Sequence, residues 1–382
     1  MKPIRSPLLK SPFADLHGRG ARSNRESRFD SAVHVADPEY LEQQRLATLG
    51  SGSQDAPSSP GPAVPTLRTT VVRERPRSII SRNESPDIPF DRSINPYRGC
   101  EHGCVYCYAR PTHAYLGHSP GLDFETRLYA KENAAELLER ELRRPGYRPA
   151  PIALGANTDP YQPIEKELHI MRSVLQVLAR FQHPVMITTK SALVLRDLDI
   201  LAELAQRRLV HVFISIGTLD RSIARGMEPR ASTPALRLEA LRNLAQAGVP
   251  AGVIVAPVIP ALTDAHMETV LESAAAAGAD HAAYVVLRLP LEVRDLFVEW
   301  LEEYTPLRAR HVMSQIRELR GGKDNDSAFG RRMSGTGVVS ELLRRRFQLA
   351  CRRLGLAQQA PALDNGRFAL PEEESAQQSL LF

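Results

Sequence analysis

The run Val210-His211-Val212-Phe213-Ile214-Ser215-Ile216 decides the fold. Its β-branched and aromatic side chains fall on both parities, so a strand here has two apolar faces. Strands covered on both faces belong to parallel sheets flanked by helices. Four further runs read the same way: Ile152-Ala153-Leu154-Gly155, Val185-Met186-Ile187-Thr188-Thr189, Gly252-Val253-Ile254-Val255-Ala256-Pro257 and Ala283-Tyr284-Val285-Val286-Leu287. Between them lie helical patterns over residues 133–144, 163–180, 193–207, 234–247, 264–277 and 291–304, with Pro163 at the first position of the second. A strand near residues 92–95 completes six β/α units. Repeated units of this kind imply a parallel sheet with right-handed crossovers. Six fall short of a closed eightfold barrel. The expected architecture is α/β, a partial (β/α)6 barrel, with a doubly wound sheet as the alternative. In either, the loops after the strands carry the site.

The loop after the first of these strands reads Arg98-Gly99-Cys100-Glu101-His102-Gly103-Cys104-Val105-Tyr106-Cys107-Tyr108. Three of the chain's four cysteines stand here, spaced C-x3-C-x2-C; the other is Cys351. Three thiolates so close in sequence can converge on one metal centre, and without a fourth local ligand the centre keeps an open position. Structural zinc usually takes two separated ligand pairs, and His102 sits on too tight a loop to serve readily as the fourth ligand. A three-thiolate iron–sulfur cluster, with one iron free for a non-protein ligand, explains the pattern better.

The chain has 382 residues, 43% of them apolar, and a net charge of +5. The basic balance is consistent with an anionic partner, and equally with solvated surface charge. Clustered cysteines indicate a reducing compartment rather than a disulfide scaffold. The first residues lack the apolar core of a secretory signal, and the longest apolar stretch, 249–262, is broken by Pro250, Pro257 and Pro260. A cytoplasmic protein without a membrane span is expected. Residues 1–80 are rich in Pro, Ser, Gly and Arg and are expected to be a disordered or loosely packed basic segment. The core domain then covers 81–305, a helical and basic C-terminal extension 306–358, and a flexible tail 359–382. Within the extension, helices over 307–319 and 338–354 flank a Gly-rich loop, and the second carries Arg344, Arg345, Arg346, Arg352 and Arg353.

The cysteine spacing, the aromatic before the third cysteine and the β/α array together resemble the radical S-adenosylmethionine superfamily. Asn95-Pro96-Tyr97-Arg98-Gly99-Cys100, Thr158-Asp159-Pro160-Tyr161-Gln162-Pro163-Ile164-Glu165 and Thr188-Thr189-Lys190-Ser191 are similar to the spore photoproduct lyase-related group, across most of residues 90–355. The resemblance implies a [4Fe-4S] cluster on Cys100, Cys104 and Cys107, with S-adenosylmethionine on the free iron. Reductive cleavage of that cofactor then yields a 5′-deoxyadenosyl radical that takes hydrogen from substrate. It also implies positions for the cofactor. Tyr106 lies against the adenine. Asn157, Thr158 and Asp159 bind the methionine amino group, although the usual Gly-Gly-Glu is absent and Asp159 reads equally as a turn or cap residue. Lys190 and Ser191 meet the carboxylate, Ser215 the ribose, and Val255, Ala256 and Leu287 frame the adenine through backbone groups; a surface loop is the competing reading for Lys190, and core packing for Ser215, Val255 and Leu287.

One departure bears on substrate. The photoproduct lyases return hydrogen through a cysteine early in the barrel, and this chain has none between Cys107 and Cys351. The implied function is a radical enzyme acting on a nucleic-acid lesion or a nucleotide. A peptide or small-metabolite substrate is the alternative, and a zinc-stabilised nucleic-acid-binding protein a distant third. Gly321-Gly322-Lys323 and Gly330-Arg331-Arg332 form a candidate phosphate cradle. No second cysteine cluster exists to relay electrons, so a flavodoxin- or ferredoxin-type donor is expected. The residue that donates or relays hydrogen is not legible.

Overall fold

The computed structural model describes residues 18–25, 28–29 and 67–372. Among the described residues ten strands form two sheets: β1 (Thr70–Glu74), β2 (Ile80–Arg82), β3 (Arg92–Ile94), β4 (Tyr97–Arg98), β5 (Arg127–Lys131), β6 (Ile152–Leu154), β7 (Val185–Thr189), β8 (Val210–Ser215), β9 (Ala251–Val258) and β10 (His281–Val286). The larger sheet runs β10-β9-β8-β7-β6-β3-β2. From β3 to β10 every neighbouring pair is parallel and follows sequence order, as in Arg92↔Ile152, Ile152↔Val185 and Val185↔Val210. A doubly wound sheet reverses its strand order at a switch point; this one never does. The six parallel strands are those of the expected partial (β/α)6 barrel, and no pairing joins β10 to β2 or β3 among the described residues.

β8 shows why the apolar run folds as it does. Val210, Val212 and Ile214 are buried on one face, and His211 and Ser215 are buried on the other. The helices Ile170–Arg180, Leu198–Gln206, Pro234–Gln246 and Met267–Ala276 pack against the sheet with their apolar sides. The helix expected over 163–180 is two helices. Glu165–Leu168 ends at His169, which turns left-handed at φ 52°, and Ile170–Arg180 follows. The break has a cause: the buried Glu165 carboxylate, held by Tyr97 and Arg196, accepts the N–H of Met171 at 3.1 Å and so caps the second helix.

A three-stranded sheet, β1-β5-β4, was not expected; it lies beside the cysteine loop in sequence. Part of the N-terminal segment is firmly held, which corrects the expectation of a loosely packed 1–80. Glu125 is fully buried, and its carboxylate accepts the backbone N–H groups of Gly20 (3.0 Å) and Ala21 (2.8 Å). A buried carboxylate must find donors, and residues 18–25 supply two of them. The rest of that expectation, over residues 1–17, 26–27 and 30–66, lies outside the described residues, as does the end of the tail from 373.

The extension forms the helices Ala309–Leu319 and Gly337–Leu354. The second packs on Met267–Ala276, with Phe347 4.8 Å from Tyr284 between ring centroids. Its arginines are largely tied to acids of the chain: Arg344 and Arg345 to Glu341, Arg346 to Glu268, Arg353 to Glu272. Among the described residues no helix is long and apolar enough to cross a membrane.

Candidate functional site

The loop carrying Cys100, Cys104 and Cys107 runs from β4 to the short helix Arg110–Leu116. Its shape is set largely by Arg110, whose guanidinium is fully buried. It donates to the carbonyls of Cys104 (2.9 Å), Gly103 (3.2 Å), Pro120 (3.0 Å) and Gly121 (2.9 Å) and pairs with Glu125. Gly103 sits at φ 67°, where a Cβ would stand 2.8 Å from a Glu125 carboxylate oxygen. Gln162, also fully buried, accepts the N–H of Glu101 at 2.9 Å and donates to the Gly99 carbonyl at 3.2 Å. The loop is thus clamped from two sides, by Arg110 at its own end and by Gln162 from about sixty residues on.

All three cysteines line one cavity of about 410 Å³ at the C-terminal ends of the parallel strands. Burial raises the affinity of each thiol for its proton. Opposing that, the nearby backbone N–H of Asp159 favours the thiolate of Cys100, those of Ala109 and Arg110 favour that of Cys107, and the Lys190 charge acts on Cys104 and Cys107. N–H groups and a cation aimed at sheltered sulfurs are what a cysteine-held iron–sulfur cluster requires. The donor set fits such a group. No three or more His, Cys, Asp or Glu side chains among the described residues close on a single ion.

Of the other residues singled out by sequence, Tyr106, Asn157, Thr158, Asp159, Lys190 and Ser215 line the same cavity. Gly155 lets β6 bring three of them there: at φ 87° its Cβ would fall 2.1 Å from the Thr188 carbonyl of β7. Asp159 is a brace. One carboxylate oxygen accepts the Tyr161 N–H (2.9 Å) and the Thr189 hydroxyl (2.7 Å), the other the Lys190 N–H (2.8 Å), with His102 3.4 Å away. Burial works against its charge, but His102 and these donors outweigh it and hold the pKa at about 2. Tyr106 donates to the buried Glu228, which pairs with the equally buried Arg237. Burial would raise Glu228, yet Arg237 and Lys190 keep it below the ordinary carboxylate value. Lys190 in turn is held above its ordinary value by Cys104 and Glu228, against burial.

Ser191, Val255 and Leu287 do not line the cavity. The Ser191 hydroxyl caps the next short helix by accepting the Leu193 N–H at 3.2 Å. Val255 is fully buried in the core, and its neighbours Ile254 and Ala256 face the cavity instead. Side chains alternate along a strand, so a one-residue offset exchanges core for site. Leu287 belongs to an apolar cluster with Leu289, Val293 and Phe297.

Ile88 and Phe90 from the turn before β3, and Arg288 and Met333 around the end of β10 and the Gly-rich loop, were not anticipated at the mouth; Arg332, from the candidate phosphate cradle, joins them there. Arg332 grips Asp87 along one guanidinium edge, with Nε at 2.9 Å and Nη2 at 2.6 Å from its two oxygens. Arg320 holds the loop to β10, donating to the Leu287 carbonyl at 2.6 Å and to those of Arg331 and Arg332 at 3.0 Å. Chain-distant contacts of this kind leave no periodic trace in sequence.

Comparison with known proteins agrees with this geometry. Residues 94–274 match the family model described as the radical SAM superfamily. An uncharacterized protein of Mycobacterium tuberculosis is 42% identical over 234 residues, 61% of this chain and 68% of its own length. One from Methanocaldococcus jannaschii is 28% identical over 171 residues, 45% of this chain and 61% of that protein. Among solved structures, spore photoproduct lyase complexed with dinucleoside spore photoproduct superposes with a TM-score of 0.57 at 16% identity, over 84% of this chain and 96% of that one. That likeness is one of fold.

Proposed function

The chain belongs to the radical SAM superfamily, and from that premise we propose that it cleaves S-adenosylmethionine at a [4Fe-4S] cluster and takes hydrogen from a nucleic-acid or nucleotide-like substrate. The observation that carries the first half is the meeting of Cys100, Cys104 and Cys107 with Lys190, Asn157 and Ser215 in one cavity. Bound there, cluster and cofactor supply one-electron reductive cleavage and an organic radical.

The chain's own part is to hold and orient. The three sulfurs bind the cluster. Lys190, its charge sustained by Cys104 and Glu228, meets the cofactor carboxylate. Asn157 and Ser215 offer hydrogen bonds, and Tyr106 offers an aromatic surface whose hydroxyl is fixed by Glu228. Asp159, with both oxygens engaged, acts by fixing the backbone of Lys190 rather than by binding the methionine amino group. Electrons come from a separate flavodoxin- or ferredoxin-type donor, since all other sulfur ligands in the chain reduce to Cys351. Cys351 lies on the Gly337–Leu354 helix, buried and outside the cavity lining, which removes it as a hydrogen donor to a substrate there.

The nucleic-acid half rests on Arg288 at the mouth of the cavity, which has no carboxylate partner among the described residues, not on the basic helix, whose arginines are mostly paired. Anaerobic reconstitution with iron and sulfide, followed by reduction with S-adenosylmethionine present, tests the reading through release of 5′-deoxyadenosine. Hydrogen transfer from candidate oligonucleotides tests the substrate.

A further inference from the structure

Three lysine or arginine side chains line the cavity among the described residues: Lys190, Arg288 and Arg332. Two have evident duties. Arg332 is neutralised by Asp87. Lys190 is the cation whose charge reaches the sulfurs of Cys104 and Cys107. Arg288 has neither role. It follows β10 and lies over the ring of Tyr108, 5.0 Å from its centroid. Among the described residues its hydrogen-bond contact is the Met333 sulfur at 4.0 Å, and no carboxylate comes within ion-pair distance.

Elsewhere the chain does not leave sheltered guanidinium groups idle. Arg110 has five partners, Arg320 reaches four carbonyls, and Arg237 holds Glu228 and the Ser215 and Ser232 carbonyls. A guanidinium carries five N–H donors, and leaving them unmet while partly desolvated is costly. Arg288 is also pushed below the ordinary arginine value by burial and by the neighbouring Arg332. An anion entering the mouth would relieve both.

The position says which kind of anion. The cysteines Cys100 and Cys104 are only 6% and 7% exposed and form the floor, whereas Tyr108 is 43% exposed and forms the rim. The Tyr108 hydroxyl is fixed to the Ala156 carbonyl beyond β6, so ring and guanidinium span the mouth from the β6 side to the β10 side. A base that reacts must leave any stack and enter the cavity, while its backbone stays outside. We propose that Arg288 anchors a phosphodiester of a single-stranded or flipped-out nucleic-acid substrate at the rim, its planar fork matching two phosphate oxygens. This deepens the proposed function and rests on its nucleic-acid reading.

The test is anaerobic binding of cluster-loaded protein to a short single-stranded deoxyoligonucleotide and to its uncharged methylphosphonate counterpart, by fluorescence anisotropy over a range of salt. For the phosphodiester strand, Arg288→Gln should weaken binding about tenfold and reduce the salt slope by about one. Arg288→Lys should stay nearer wild type, because the charge remains, and equal iron content in the variants reports an intact fold. Binding of the methylphosphonate strand should not respond to Arg288→Gln. A wild-type affinity and salt slope in Arg288→Gln overturns the assignment and leaves the nucleic-acid reading standing. A wild-type protein with no salt-dependent binding overturns that reading and the assignment together.

Discussion

The carboxylate of Asp159 accepts the backbone N–H of Lys190 at 2.8 Å. This bond joins the turn after β6 to the end of β7, and its other acceptor sites take the Thr189 hydroxyl and the Tyr161 N–H. The residue therefore holds in register the two strand ends that present Asn157 and Lys190 to the cavity. Asp159→Ala leaves three sheltered donors unmet. Charge-assisted bonds of this kind contribute about 1.5–3 kcal/mol each, without full additivity. Thermal unfolding should show the apparent Tm lowered by about 10 °C. A fall of only a degree or two would mean that water replaces the carboxylate freely.

The pleat of β9 makes a paired prediction. Ala256 faces the cavity and Val255 the core. Ala256→Leu adds bulk where the cofactor is to lie, and equilibrium dialysis of cluster-loaded protein should show S-adenosylmethionine affinity reduced by at least about tenfold. Val255→Ala removes core volume and should cost about 2 kcal/mol of stability in denaturant unfolding while sparing cofactor binding. The reverse pattern would place the site on the other face of the strand.

His183 gives a pH dependence far from the cysteines. It accepts from, or donates to, Tyr147 at 2.8 Å and contacts the Pro184 carbonyl at 2.9 Å, and burial lowers its pKa from 6.5 to about 4. The unfolded chain takes up this proton below pH 6.5, but the folded chain only near pH 4. The contribution is therefore complete above pH 6.5 and is lost as pH falls to about 4, to the extent of about 3 kcal/mol. His183→Gln keeps a donor and an acceptor and removes the titration. Its unfolding free energy should fall less steeply over that window, by about one proton's slope. An unchanged slope would assign the acid sensitivity elsewhere, with His211, also lowered to about 4, the next group to replace.

How much of this was legible in sequence follows from the physics of each element. Strands β8 and β9 are largely buried on both faces, and the second face of β7 is half-buried, so their composition is nearly uniform and gives them away. β1 is half exposed and β4 has two residues; neither builds a pattern, and the second sheet went unseen. Tyr106, Asn157, Lys190 and Ser215 come together in the cavity because loops after parallel strands converge. Which side chain of the Val255-Ala256 pair faces the cavity was not legible, because period-two alternation fixes a face only when the strand's phase is known. Gln162 and Arg288 were missed because their partners are distant in the chain, and Arg110 because its partners are mostly backbone carbonyls of an irregular loop, which carry no side-chain pattern.

The most direct test of the central claim is 5′-deoxyadenosine released by anaerobically reconstituted, reduced protein supplied with S-adenosylmethionine. The wild type and Cys351→Ala should form it, whereas Cys100→Ala, Cys104→Ala and Cys107→Ala should lose both the iron–sulfur absorbance and the product. A wild-type protein that carries a full cluster and releases no 5′-deoxyadenosine would contradict the account.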